Sequence, residues 1–140
     1  MPDAFASAAE TDGGCNKEPY AISVMVHGVR SDDGNITVVL YGSDPDDFLV
    51  KGRKLLRKRS PALNGIVRFC LAVSKPGVYA AAAYHDENGN KKFDKNWIGI
   101  PIEGFGVSNS PEIFLLPPGH AEAAFRIDKA ITKVDIQLGY

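Results

Sequence analysis

From Tyr20 onward the chain is written in short runs of period two. Ile22, Val24 and Val26 alternate with Ala21, Ser23 and Met25, the signature of a half-buried strand. Ser31-Asp32-Asp33-Gly34-Asn35 is a turn signal, with Gly and Asn able to take positive φ. The β-branched run Ile36-Thr37-Val38-Val39-Leu40-Tyr41 follows it, and the two runs predict a hairpin. In the segment from Gly65 to Val73, Val67, Phe69, Leu71 and Val73 share one face and Ile66, Arg68, Cys70 and Ala72 the other. After the Lys75-Pro76-Gly77 turn, Val78 to His85 holds four consecutive alanines, which favour helix by propensity. The segment is short, follows a tight turn and has Val and Tyr at its ends, so a strand pressed closely on both faces is expected. Ala121 to Ile127 and Thr132 to Leu138 complete the set, the latter with Val134, Ile136 and Leu138 on the inner side. About seven short strands between turns predict an all-β fold, a single antiparallel β-sandwich of immunoglobulin-like or prealbumin-like type. Its expected span is 20–140, behind a flexible arm at 1–19.

One stretch fits this pattern poorly. After Gly42-Ser43-Asp44-Pro45-Asp46-Asp47, the residues Lys51, Arg53, Lys54, Arg57, Lys58 and Arg59 crowd together. Such a cluster can bind phosphate groups or anionic lipid. Its plainer reading is a solvated crossover between two sheets, with Leu55 and Leu56 tucked beneath it and Asp44, Asp46 and Asp47 neutralising it.

Composition narrows the class. The 140 residues suffice for one domain with a real core; 44% are hydrophobic, 24% are charged, and the net charge is −1. Such a balance predicts no nucleic-acid footprint. No apolar run approaches the roughly 18 residues of a membrane-spanning helix. Cys15 and Cys70 allow one intramolecular disulfide, which would imply an oxidising compartment; free thiols are the alternative. The opening MPDAFASAAETDGG lacks the apolar core of a signal peptide, leaving two explanations, a cytosolic chain or a mature exported one.

The stretch from Tyr84 to Asn109 carries the candidate chemistry. Asp86, Asn88, Asn90 and Asp94 stand at relative positions 1, 3, 5 and 9, with the Lys92 carbonyl at position 7. Oxygen at every second position suits calcium, which takes six to eight oxygen ligands. The spacing overlaps that of an EF-hand loop, but Lys91 replaces its Gly, Trp97 replaces its final Glu, and a strand precedes it. Glu103 is the candidate for the missing carboxylate. Lys91, Lys92 and Lys95 dilute the charge, so the expected site is of low affinity, about 10⁻⁴–10⁻³ M. The alternative is an Asn88-Gly89 turn whose polar side chains bond local amides.

Several phrases in this region resemble a bacterial family, domain of unknown function 2141. They are Gly77-Val78-Tyr79-Ala80, His85-Asp86-Glu87-Asn88-Gly89-Asn90, Phe93-Asp94 and Gly99-Ile100-Pro101-Ile102-Glu103-Gly104-Phe105-Gly106-Val107-Ser108-Asn109. The resemblance covers roughly Ala21 to Tyr140 and departs at Lys91 and Lys92. It implies a compact, exported β-sandwich, periplasmic or secreted, and assigns no activity.

Other chemistry is thinner. His27, His85 and His120 are dispersed, without the short His/Cys spacing of a zinc site. An enzyme would use His85 as base beside Asp86, with Glu103 or Ser108 across the loop; a strand-end histidine is otherwise expected to be solvated or turn-bonded. Trp97, Ile98, Ile100, Ile102 and Phe105 form an apolar loop that either packs as core or presents a recognition patch. The function expected is therefore an exported, non-enzymatic binding or structural module of unknown ligand, with a low-affinity calcium site over 86–103. A hydrolase built on His85 is the alternative.

Overall fold

A computed structural model of the chain describes residues 19–50, 52–87, 104–109 and 120–140. Its strands are β1 (Tyr20–Val29), β2 (Asn35–Tyr41), β3 (Leu56–Pro61), β4 (Gly65–Val73), β5 (Gly77–Asp86), β6 (Gly104–Val107), β7 (Phe125–Ile127) and β8 (Ile131–Gln137). A 3-10 turn, Pro45–Asp47, follows β2, and a single helical turn, α1 (His120–Ala123), precedes β7. The strands form two sheets, one ordered β4-β1-β8 and the other β3-β2-β5-β6, with β7 also paired to β5.

The sheets share a core that the alternation dictates. Ile22, Val24 and Val26 of β1 meet Val67, Phe69, Leu71 and Val73 of β4 and Val134 and Ile136 of β8. From the other sheet come Ile36, Val38 and Leu40 of β2 and Tyr79, Ala81 and Ala83 of β5. A one-residue slip of β1 would turn Ile22, Val24 and Val26 outward, at about 1.5–3 kcal/mol for each large side chain exposed. Its register is therefore fixed. The five-stranded sheet is also covered on its outer face, where Val39, Tyr41, Ala80, Ala82, Phe105 and Val107 pack with Phe48 and Ala123. This double burial explains the alanines of β5, which leave room for a layer on each side.

Four expectations are corrected. The runs flanking the Ser31–Asn35 turn do not form a hairpin; β1 pairs with β4 and β8, while β2 pairs with β3 and β5. Gly34 does take positive φ (69°), but the turn carries the chain from one sheet to the other. Burial shows why. The inner positions of β1 are buried and its outer ones half-exposed, whereas β2 is buried from Ile36 to Tyr41 and belongs in a sheet covered on both sides. Second, β1 and β8 are parallel, an exception to the antiparallel pairing elsewhere. Third, the basic stretch is not all crossover, because Leu56–Pro61 is the edge strand β3. Fourth, the strand expected from Ala121 begins only at Phe125; His120–Ala123 turns helically, as its alanines favour.

The two open sides of the sandwich are closed differently. On one, β6 meets the end of β8: Phe105 N–H donates to Gly139 O (3.0 Å) and Gly139 N–H to Phe105 O (2.9 Å). Glycine makes this approach possible, since a Cβ on Gly106 would lie 2.3 Å from the Gln137 carbonyl oxygen. On the other side, Lys58 spans the gap. It pairs with core-facing Val38 and extends its ammonium to the Cys70 carbonyl at 3.2 Å. Burial pushes its pKa down. An inward-pointing charge of this kind also blunts an edge strand against pairing with another chain.

Candidate functional site

Strand β5 delivers His85 and Asp86 to one end of the sandwich, both fully buried. Odd positions of β5 face the shared core and even positions the outer face, so the two side chains diverge. Of the two expectations for His85, solvated or turn-bonded, the second holds, since it is buried and bonded to the Ser31–Asn35 turn. Its Nε2 lies 2.7 Å from the Asp33 carbonyl oxygen and its Nδ1 2.6 Å from the Tyr140 hydroxyl. A carbonyl only accepts, so Nε2 donates, and in the neutral ring Nδ1 then accepts the hydroxyl proton. The Tyr140 oxygen in turn accepts the Arg30 N–H at 3.1 Å.

Around this bond a charged cluster closes the end. Arg30 grips Glu87 with both arms of its guanidinium, Nε to Oε2 at 3.0 Å and Nη2 to Oε1 at 2.6 Å. The Ser31 hydroxyl adds a third bond to Glu87 at 3.0 Å. The Arg30 hydrogen bonds, opposed by burial and aided by Ser31, hold the Glu87 carboxyl down at about 2. Arg30 also lies over the Tyr140 ring, 4.2 Å from its centroid, a cation–π contact. Burial, chiefly, raises the Tyr140 pKa and keeps the phenol protonated as a donor. Gly104 makes room for this ring, because a Cβ there would come within 2.5 Å of it. Asn64 braces the loop below, its N–H on Asp32 and its side-chain amide on the Arg30 carbonyl.

Arg30, Glu87 and Tyr140 carry no site motif of their own in the sequence, and Ser31 and Asp33 stand out there only as turn formers. The available signal was an opposite charge just beyond each of two strands, Arg30 after β1 and Glu87 after β5.

Ser108 serves elsewhere. It is fully buried, pairs with Ile136, and lies across from Ala81 rather than His85. Its hydroxyl accepts the Ala81 N–H at 2.9 Å and donates to the Ala123 carbonyl. Four strand positions separate Ala81 from His85, about 13 Å. The proposed pairing of His85 with Ser108 is thus corrected: both are bound to other partners.

Of the calcium residues only Asp86 falls among those described; it is opposite Asn35 on β2. Asn88, Asn90, Lys92, Asp94 and Glu103 lie outside the described residues, as do Trp97, Ile98, Ile100 and Ile102. Among the described residues no three His, Cys, Asp or Glu side chains converge as a metal site. The histidines are separately engaged: His27 with Asp135 at 2.8 Å, His120 with the Gly42 carbonyl at 3.0 Å. Phe105 of the apolar loop is buried core. Cys70 is disulfide-bonded, and Cys15, the other cysteine of the chain, lies outside the described residues.

The opposite end differs in character. A cleft of about 250 Å³ opens between the ends of β3 and β4, lined by Leu55, Leu56, Ala72, Val73, Ser74, Lys75 and Tyr79. Leu56 packs partly against the core, but Leu55 is 57% exposed, so it is not tucked beneath the basic stretch.

The profile of a bacterial family, described as an uncharacterized protein conserved in bacteria (DUF2141), matches residues 24–135. No curated protein and no solved structure matches the chain. Among the described residues, no helix is long and apolar enough to cross a membrane.

Proposed function

The chain belongs to the bacterial DUF2141 family, and from that premise and the geometry above we propose that it is an exported, non-enzymatic binding module. One observation carries the reading. His85 and Ser108, the base and nucleophile that hydrolysis would draw on, are buried and committed to structural partners about 13 Å apart along β5. A general base must reach the proton it removes, and a buried imidazole with both nitrogens engaged does not. The disulfide at Cys70 supports residence in an oxidising compartment, periplasmic or extracellular. A low-affinity calcium ion, held by Asp86 with Asn88, Asn90, the Lys92 carbonyl, Asp94 and Glu103, would stiffen the loop after β5 rather than act on a substrate.

The test compares hydrolysis of a p-nitrophenyl ester by the protein, by His85→Gln and by Ser108→Ala. All three should run at the same background rate, while both variants melt at lower temperature. General acid–base catalysis contributes about 10²–10⁴-fold, so a wild-type rate 10²-fold above that of folded His85→Gln would overturn the non-enzymatic reading.

A further inference from the structure

We propose that the exposed side chains of Val50, Arg53, Lys54, Leu55 and Arg57 seat the protein on an anionic phospholipid surface, an identification of the ligand that rests on the binding-module reading. Val50 and Leu55 are 44% and 57% exposed, two large aliphatic side chains on one short connection. Arg53, Lys54 and Arg57 are interspersed with them and exposed. Lys75 stands exposed at the rim of the adjoining cleft. Apolar tips among cations are what a peripheral protein presents to an anionic bilayer: the aliphatic groups enter the headgroup boundary and the cations meet phosphate.

The connection is built to hold its tips outward. Asp44 caps the 3-10 turn by accepting the Asp46 N–H at 2.9 Å. Val50 N–H then bonds the Asp47 carbonyl, and Arg53 N–H the Val50 carbonyl, each at 3.1 Å. Phe48 is buried edge-on to Tyr41 and His120, anchoring the underside. Leu49 packs against the same outer core with φ at 63°, a left-handed backbone region that is unfavourable for a leucine. Strain kept at an exposed connection points to a surface that is used. Among the described residues the one ion pair here is Arg53 with Asp47, at 3.7 Å; Asp44 and Asp46 stand on the preceding 3-10 turn, where Asp44 is held as its cap.

The same geometry argues against other occupants. An extended peptide adding to β3 would meet an edge with Lys58 pointing inward and Pro61 at its end. The cleft is smaller than the about 300–1,000 Å³ of pockets for drug-sized ligands. It suits the apolar margin of an assembled surface, with the Tyr79 hydroxyl turned away onto the Lys75 carbonyl at 2.7 Å.

Sedimentation with vesicles of phosphatidylglycerol and phosphatidylcholine in equal parts, against phosphatidylcholine alone, tests the assignment. The protein should bind the anionic vesicles and not the neutral ones. Each cation near the surface is worth about five-fold, so Arg53→Gln/Lys54→Gln/Arg57→Gln together should lower partition about a hundred-fold. Leu55→Asn should lower it about ten-fold and leave its salt dependence unchanged. Lys133→Gln, on the exposed side of β8, should bind as the wild type does. Unchanged melting temperatures establish that the variants fold. No binding by the wild type, equal binding by the triple variant, or displacement by millimolar glycerol phosphate would each overturn the proposal; the last would make it a free-anion site. These results are independent of the ester assay, so the lipid assignment and the non-enzymatic reading fail separately.

Discussion

Gly106→Ala tests the seam on which this sandwich closes. The new methyl carbon would lie 2.3 Å from the Gln137 carbonyl oxygen and 2.9 Å from both the Gln137 carbonyl carbon and Ile136 Cγ2. Two of those three atoms are backbone, so no side-chain rotation relieves the clash. To restore ordinary contact, β6 and the end of β8 must part by about 1 Å, and overpacking of this kind costs about 1–3 kcal/mol. The separation also strains the two Phe105–Gly139 hydrogen bonds, each worth about 1 kcal/mol. A total near 3 kcal/mol should lower Tm by about 10 °C. Gly104→Ala should cost less, because its obstacle is the Tyr140 ring, which can swing aside at the expense of the His85 hydrogen bond. Gly42→Ala is the control, since its methyl would meet only Leu55 Cδ1 at 3.5 Å. Thermal melts by circular dichroism give the ranking, and amide exchange at Phe105 and Gly139 localises it. A Gly106→Ala protein melting within about 2 °C of wild type would refute the close approach of β6 and β8.

Two further outcomes concern the other end of the fold. Glu87→Gln should destabilise the protein by about 1 kcal/mol at neutral pH. The depressed pKa would imply about 3 kcal/mol, but Arg30 is 53% exposed and solvent screens the pair. Because the folded pKa lies below the ordinary one, the Glu87 contribution is complete above about 4.5 and fades as pH falls toward about 2. Denaturant titrations should therefore show the gap between wild type and variant closing over that window; a constant gap refutes the ion pair as its source. Calcium added to chelator-treated protein should raise Tm with a midpoint of about 10⁻⁴–10⁻³ M, and Asp94→Asn should weaken the response. No heat and no thermal shift at millimolar calcium would remove the metal site.

What could be read in advance was local. The faces of β4 and β8 follow from strict alternation, and β5 could be recognised as a strand because alanines between a tight turn and Tyr84 suit a sheet covered on both sides. Pairing could not be read the same way. Ser31 to Asn35 signals that the chain turns, but not whether the flanking runs then meet, and here they part into different sheets. Leu56–Pro61 lacks apolar alternation because an edge strand can carry Arg57 and Arg59 outward and snorkel Lys58 inward. At the candidate site, His85 was visible but its partners were not. Tyr140 is 55 positions away and Asp33 is 52, distances at which no spacing rule operates. The exposed Leu55 inverted the plain reading of the basic stretch, because burial of a lone leucine depends on what covers it.

The parallel pairing of β1 with β8 constrains the order in which the molecule can assemble. Strand β1 finds one antiparallel neighbour in β4, but its other edge stays open until β8 arrives. Arg30 and Tyr140, 110 positions apart, complete their contact only then. Contacts of such long range give slow folding, and an unpaired β1 edge is exposed to association in the interval. The three-stranded sheet is thus a late product of biosynthesis. A nascent chain halted before Ile131 can form β2 and β5 pairs but not this sheet, and it should remain open to proteolysis at β1.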